Sequence, residues 1–241
     1  MERLAAFGAD ALVSIQYDQI LKGPLFDRIG CPCLNIHFAL LPRHRGVAPI
    51  AWAVLAGDSE AGVTLHHMIE DIDAGDIVAQ RAVPIAPDGT AREVYDALTN
   101  VAIQVFQESY PFAPGLLHGR EPQSTGDASY HRQGDLDFSI RQVDWTRPAW
   151  DLQRWIRARI FPPMQYPETT WHGQVVTIRR VAGEIGAAAG VPAGTVVTST
   201  DGLIEVAAGD GLLRLTDVSI VEASADAVKP GDVMGEGGAS R

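Results

Sequence analysis

Residues 31–37, Cys-Pro-Cys-Leu-Asn-Ile-His, read as a short strand in which Leu34 and Ile36 alternate with Cys33, Asn35 and His37. The two-residue period of a strand sends Asn35 and His37 to the same face. A Pro/Arg/Gly loop, Pro42 to Gly46, follows at once. A donor amide beside an imidazole at the carboxyl end of a strand is where open α/β sheets place their chemistry. Taken alone, such a pair satisfies a strand end as readily as it serves a reaction. What surrounds it narrows the choice.

Before this strand, Ala11 to Ile15 is a compact apolar run suited to a buried parallel strand, and Pro24 to Ile29 reads as a short helix. Residues 2–9 read as the end of a helix stopped at Phe7-Gly8. After it, Ala48 to Leu55 forms an apolar helix closed by Gly57, with Trp52 read as core. Ala61 to His66 and Ile77 to Ile85 form two further strands, and Asp71 to Asp76 is the loop between them. Of His66 and His67, strand alternation directs one toward the site and the other away. Thr90 with Glu93 three residues on is a capping box. The helix it opens carries a stripe through Tyr95, Leu98, Val101, Ala102, Val105 and Phe106.

No apolar run approaches the ~20 residues of a membrane span, and the first fifteen residues lack a signal-peptide layout, so a cytoplasmic protein is expected. The two cysteines, Cys31 and Cys33, have no second pair to complete a zinc site and are read as reduced strand residues, with no metal. The net charge of −11 is uneven: residues 1–131 hold 8 Lys+Arg against 16 Asp+Glu, and residues 132–241 hold 11 against 14. Neither half offers the positive field of a nucleic-acid binder. Arg154, Arg157, Arg159, Arg179 and Arg180 are the candidates for a local basic strip. There is no Walker loop and no G-x-G-x-x-G, and Gly209-Asp-Gly211 reads as a hairpin turn, not a phosphate cradle.

The longer pattern is more specific. Asn35-Ile-His37-x-x-Leu40-Leu41-Pro42-x-x-Arg45-Gly46-x-x-Pro49, then Gly62-Val-Thr64-x-His66, then Asp73-x-Gly75-Asp76-Ile77 resembles the core of the 10-formyltetrahydrofolate-dependent formyltransferases. The resemblance implies formyl transfer from 10-formyltetrahydrofolate to a primary amine, with catalytic residues Asn35, His37 and Asp73 and folate contacts at Leu40, Leu41, Pro42, Asp71 and Asp76. Asn35 would donate to the oxyanion formed when an amine attacks the formyl carbon. His37 would donate to the same oxygen or accept the proton that the amine sheds. Asp73 beside it would favour the charged imidazolium and fix its orientation. The Leu40-Leu41-Pro42 turn would wall the flat pterin, and Arg43 and Arg45 would meet an anionic substrate group or remain solvated.

The same resemblance implies an α/β chain: a partial Rossmann-like parallel sheet of the formyltransferase fold, then a small β-barrel-like C-terminal domain. Its first strand–helix units are missing from the sequence, which a start codon assigned too late, a fragment or a shortened enzyme would each explain; Met1 within a partial helix favours the first. The expected divisions are residues 1–122 as the catalytic domain, 123–134 as a linker and 135–241 as the C-terminal domain. There the Ala149–Arg159 helix presents Leu152, Trp155 and Ile156 and stops at Phe161-Pro162-Pro163. Short strands follow at 170–181, 194–198, 203–207 and 212–220, with a tail from Pro230 expected to fray.

A C-terminal domain sets the chain apart from the purine-pathway formyltransferases that lack one. The acidic balance favours a small amine acceptor, such as a nucleotide-linked amino sugar or a modified amino acid, over tRNA. A methionyl-tRNA formyltransferase is the alternative, and a catalytically silent binding module of the same fold is a third reading. A homodimer is left open.

Overall fold

The computed structural model describes residues 8–17, 19–21, 23–110 and 121–235, which gather into two compact units. The helix read over residues 2–9 lies largely outside the described residues. The first unit comprises Met1–Ala53, Glu60–Pro84 and Tyr95–Leu136. Its sheet contains β1 (Leu12–Ile15), β2 (Cys33–His37), β4 (Glu60–His67) and β5 (Ile77–Pro84), in the order β1-β2-β4-β5. Helix α1 (Gly23–Ile29) connects the first two strands.

The sheet is mixed. β1 and β2 are parallel, with Ser14 opposite Asn35, whereas β2–β4 and β4–β5 are antiparallel. Parallel pairing is thus confined to the strands joined through a helix, since a crossover connection is what parallel neighbours require. Leu34 and Ile36 on one face of β2 and Val63 and Leu65 of β4 are almost fully buried. The β2–β4 register sets Asn35 opposite His66 and His37 opposite Thr64. A two-stranded parallel ladder pairs β3 (Arg45–Gly46) with β6 (Tyr130–His131), Arg45 opposite Tyr130 and Gly46 opposite His131. Helix α2 (Pro49–Ala56) begins just after β3, and α3 (Ala91–Ser109) buries Leu98, Ala102 and Val105 along one stripe. The capping box forms at its start: Thr90 N–H donates to Glu93 Oε2 at 2.9 Å, and Glu93 N–H to Thr90 Oγ1 at 3.2 Å.

The second unit comprises Val54–Ser59, Ile85–Val94 and Asp137–Arg241. Its antiparallel sheet holds β7 (Glu168–Trp171), β8 (Gln174–Ala187), β9 (Val196–Thr200), β10 (Leu203–Ala207) and β11 (Gly211–Ile220), in the order β7-β8-β11-β10-β9. The sheet does not close into a barrel: β7 and β9 are its edges, and residues 233–234 make single bridges to Trp171 and Thr195. The run read as one strand over 170–181 is a hairpin. His172 and Gly173 both take positive φ, 48° and 76°, the pattern of a two-residue turn whose twist matches the flanking strands.

Helix α4 (Ala149–Arg159) lays Leu152 and Ile156 on this sheet against a core that includes Val176, Ile178, Ile204, Leu213 and Leu215. Each such side chain contributes about 1.5–3 kcal/mol by leaving water. The Gly209-Asp-Gly211 turn joins β10 to β11, and Asp210 Oδ1 accepts the Ala149 N–H at the start of α4 (2.7 Å). The tail is tied in as far as Gly235, because Met234 is only 2% exposed within this core. Among the described residues no helix is long and apolar enough to cross a membrane.

Candidate active site

β2 ends with Asn35 and His37 on one face, and the 68–76 loop brings Asp73 back over them. Gly75 makes this return feasible, because a Cβ there would collide with the His67 carbonyl at the end of β4. Asp73 itself sits at φ 54°, a left-handed conformation that Asp tolerates better than most residues. Its side chain is about 10% exposed and collects groups from three directions. Oδ1 accepts from Asn35 Nδ2 at 3.3 Å and lies 3.4 Å from His66 Nε2. Oδ2 accepts the Gly46 N–H at 2.9 Å and lies 3.5 Å from His37 Nδ1.

The hydrogen-bond pattern fixes which ring nitrogens carry protons. His37 Nε2 is 2.9 Å from the His44 carbonyl, an acceptor, so Nε2 holds the proton. In the neutral ring Nδ1 is then a bare lone pair pointing toward Asp73. Burial lowers the pKa of His37; the charge of Asp73 and the His44 carbonyl pull upward, and burial wins. Asp73 at 3.5 Å thus favours the charged ring, as its position beside His37 implies, but taking the ring out of water outweighs that one carboxylate and the net direction is downward. The carboxylate itself stays ionised. Burial pushes its pKa up, but the His66 contact, the nearby His37 and the Gly46 N–H bring it down to about 2.

His66 is the histidine that faces the site, and it is 1% exposed. Its Nδ1 donates to the His67 carbonyl at 2.9 Å, and its Nε2 lies 3.3 Å from Asn35 Nδ2 and 3.4 Å from Asp73 Oδ1. The Asn35 amide thus makes two long contacts, to Asp73 and to His66. An incoming oxyanion would exchange with one of them.

These groups line a cavity of about 680 Å3. That volume lies within the range of small-molecule sites, roughly 300–1,000 Å3. Its apolar walls come from Ile20, Phe26, Phe38, Val47, Ile69 and Ile72, and its polar rim from Gln16, Tyr130, Arg132 and Gln133. Leu40, Leu41, Pro42, Asp71 and Asp76 are not among its lining residues. Leu41 is 3% exposed because its N–H donates to Thr64 Oγ1 and its carbonyl accepts from Gln80 Nε2, which pins the turn to the sheet. Leu40 lies against Gly62, Asp71 is exposed, and Asp76 lends its carbonyl to the His67 N–H.

Residues 121–131 contribute side chains that no sequence pattern singled out. Gln123 Oε1 accepts from Arg45 Nε and Nη2 (3.0 and 2.7 Å), while Gln123 Nε2 donates to the carbonyls of Asp73 and Gly75 (2.8 and 2.7 Å). Arg45 therefore anchors the loop. Ser129 and His131 hold His44, and Trp52 stacks on His131 with ring centroids 4.1 Å apart. Cys31 and Cys33 are free thiols, and among the described residues no group of three or more His, Cys, Asp and Glu could hold a metal ion.

Comparison with known proteins bears on this arrangement. Residues 1–109 match the formyl transferase model and residues 139–228 match the formyl transferase C-terminal domain. A methionyl-tRNA formyltransferase of Myxococcus xanthus is 35% identical over 218 residues, which cover 90% of this chain and 67% of that protein. The matched part of the chain thus spans about two thirds of that relative's length. Among solved structures, the sugar 3N-formyltransferase WlaRD, determined with dTDP and 5-N-formyl-THF, aligns with TM-score 0.67 at 22% identity, covering 88% of this chain and 72% of that one. An N-formyltransferase from Helicobacter canadensis, in complex with folinic acid and dTDP-3-aminofucose, aligns with TM-score 0.68 at 21% identity over 86% of this chain and 73% of that one. With both halves matched in order and a relative above 30% identity along most of its length, the chain belongs to the formyl transferase family.

Proposed function

We propose that this protein transfers a formyl group from 10-formyltetrahydrofolate to a primary amine at the Asn35–His37–Asp73 cluster, and that the acceptor is a small molecule such as a nucleotide-linked amino sugar. The observation that carries the chemistry is the geometry of the cluster: the His44 carbonyl holds His37 Nε2 at 2.9 Å, His37 Nδ1 lies 3.5 Å from the Asp73 carboxylate, and the Asn35 amide meets the same carboxylate. The amine nitrogen attacks the formyl carbon and forms a C–N bond. The carbonyl oxygen becomes an oxyanion that accepts from the Asn35 amide, and His37 Nδ1 takes the proton shed by the amine nitrogen. The resulting imidazolium then lies against the Asp73 carboxylate. Cleavage of the bond from the formyl carbon to N10 of the folate, with return of that proton to N10, releases tetrahydrofolate and the N-formylated amine. A donor to the oxyanion contributes roughly 100- to 1000-fold in such reactions, and a positioned acid–base group roughly 100- to 10,000-fold. The apolar walls of the cavity suit a flat pterin.

The choice of a small acceptor rests on the arginines. Of the five that could have formed a basic strip, Arg157 and Arg159 are 6% and 4% exposed. Arg157 donates to the carbonyls of Ala86 and Gly89, and Arg159 to those of Ile140 and Asp137. Arg180 pairs with Asp88 and Glu93, each at 2.8 Å. Arginines that are buried, as Arg157 and Arg159 are, or already paired with carboxylates, as Arg180 is, are less available to phosphates, and the net charge is −11. The second reading, formylation of methionyl-tRNA, is favoured by the 35% identity to an enzyme of that name. Incubation with 10-formyltetrahydrofolate and either dTDP-3-aminofucose or charged initiator tRNA, followed by tetrahydrofolate release, separates the two. Turnover with the sugar alone supports the first reading. Turnover with tRNA alone overturns it in favour of the second.

A further inference from the structure

His37 owes its tautomer to a single backbone oxygen, the carbonyl of His44, and that residue is held from outside the motif. His44 is 7% exposed and has φ 56°, a backbone conformation that a β-carbon disfavours and that therefore needs support. The support comes from the segment around β6. His44 N–H donates to Ser129 Oγ at 2.8 Å, and His44 Nδ1 meets His131 Nε2 at 3.1 Å. His131 is in turn sandwiched, stacked on Trp52 at 4.1 Å and 7° and against His44 at 5.4 Å and 20°. The backbone repeats the tie: Arg45 N–H donates to the Ser129 carbonyl and Val47 N–H to that of His131, both at 3.0 Å. Between them Gly46, at φ 88°, lets the two strands meet where a Cβ would strike the His131 carbonyl, and the same Gly46 donates its N–H to Asp73.

We infer that His131, seconded by Ser129, is a positioning residue: through His44 it sets the carbonyl that holds His37 in its Nε2-protonated form with Nδ1 turned toward Asp73. The inference rests on the reading of His37 as the proton acceptor. It makes residues 129–131 part of the catalytic apparatus although they never touch substrate through this role. The contact between the two rings is a hydrogen bond, since one nitrogen must donate and the other accept. A flat ring alone would fill the same slot without fixing His44.

Two substitutions separate bond from bulk. His131→Phe keeps a ring against Trp52 and removes the nitrogen, whereas His131→Gln removes the ring and carries an amide to about the reach of Nε2. Side-chain nitrogen NMR on isotope-labelled protein reads the His37 tautomer without any acceptor. We expect a predominantly Nε2-protonated His37 in the native protein, a mixture in His131→Phe, and return toward the native signal in His131→Gln. With 10-formyltetrahydrofolate and dTDP-3-aminofucose, His131→Phe lowers kcat about tenfold, the loss of one hydrogen bond, while KM for the folate stays within about twofold. His131→Gln recovers most of that loss. An unchanged His37 signal in His131→Phe overturns the inference, as does a pair in which the Phe variant is active and the Gln variant is not. His37→Ala run alongside keeps the two claims apart: full turnover there refutes the reading of His37, whatever the NMR of the His131 variants shows.

Discussion

Asp73→Asn removes one charge and almost no volume, and the structure sets the size of the consequence. The carboxylate is about 10% exposed, touches Asn35 and the Gly46 N–H, and has His37 and His66 within 3.5 Å. Its pKa lies at about 2 in the folded protein against an ordinary 3.8. At ~1.4 kcal/mol per unit, that depression corresponds to ~2 kcal/mol of stability. Because the folded value is the lower one, the stabilisation is fully present above pH 3.8 and is lost as pH falls through about 2. By about pH 2.5 roughly 1.5 kcal/mol of it is gone. Urea unfolding of the native protein and of Asp73→Asn, compared between about pH 5 and about pH 2.5, reads the contribution of the carboxylate together with its coupling to His37. Other depressed carboxylates, Asp88 and Glu93 among them, titrate in both proteins and cancel. The native protein should lose about 1.5 kcal/mol more than the variant across that interval. Parallel stability curves would refute the charge-centred geometry.

Further outcomes follow from individual contacts. Asp73→Asn also removes the charge that raises the His37 pKa, so the acidic limb of a turnover-against-pH profile should move to lower pH; no movement would disconnect the two groups. Gly46→Ala forces a β-carbon into a left-handed φ against the His131 carbonyl and should cost about 1–3 kcal/mol in thermal or urea unfolding, with a fall in kcat. Arg157→Ala removes the guanidinium donor to the Gly89 carbonyl, whereas the Ala86 carbonyl keeps the Gly89 N–H, and should destabilise by about 1–3 kcal/mol, while a gel shift with initiator tRNA shows no retention at physiological salt with either protein. Leu213→Ala, at a site with no exposed surface, should cost about 2–5 kcal/mol.

The site's centre was legible because it is written in short-range patterns. Period-two alternation put Asn35 and His37 on one face, and the spacing to Asp73 carried a family resemblance that the structure gathers into one cluster. The downward direction of the His37 pKa was not legible, because it depends on burial, which is set by the whole fold rather than by the neighbouring residues. Nor were Gln123, Ser129 and His131. They sit in a Gly/Ser/His-rich stretch with no periodicity, and only the β3–β6 pairing across some eighty-five residues gives them a role. Leu41 was read as a wall and is core, since the Thr64 and Gln80 contacts that turn it inward come from other strands. Likewise the hairpin at His172-Gly173 interrupts an apolar run that has the composition of one strand.

The central claim is that His37 accepts the amine proton while Asn35 meets the oxyanion. Transfer of a labelled formyl group from 10-formyltetrahydrofolate to dTDP-3-aminofucose, measured in single turnover for the native protein, Asn35→Ala and His37→Ala, with folate binding followed by calorimetry, tests it directly. The account predicts label in the amine product, a fall of roughly 100-fold or more in each variant, and folate affinity nearly unchanged, because these contacts strengthen only as charge develops. Equal transfer by His37→Ala and the native protein would contradict it.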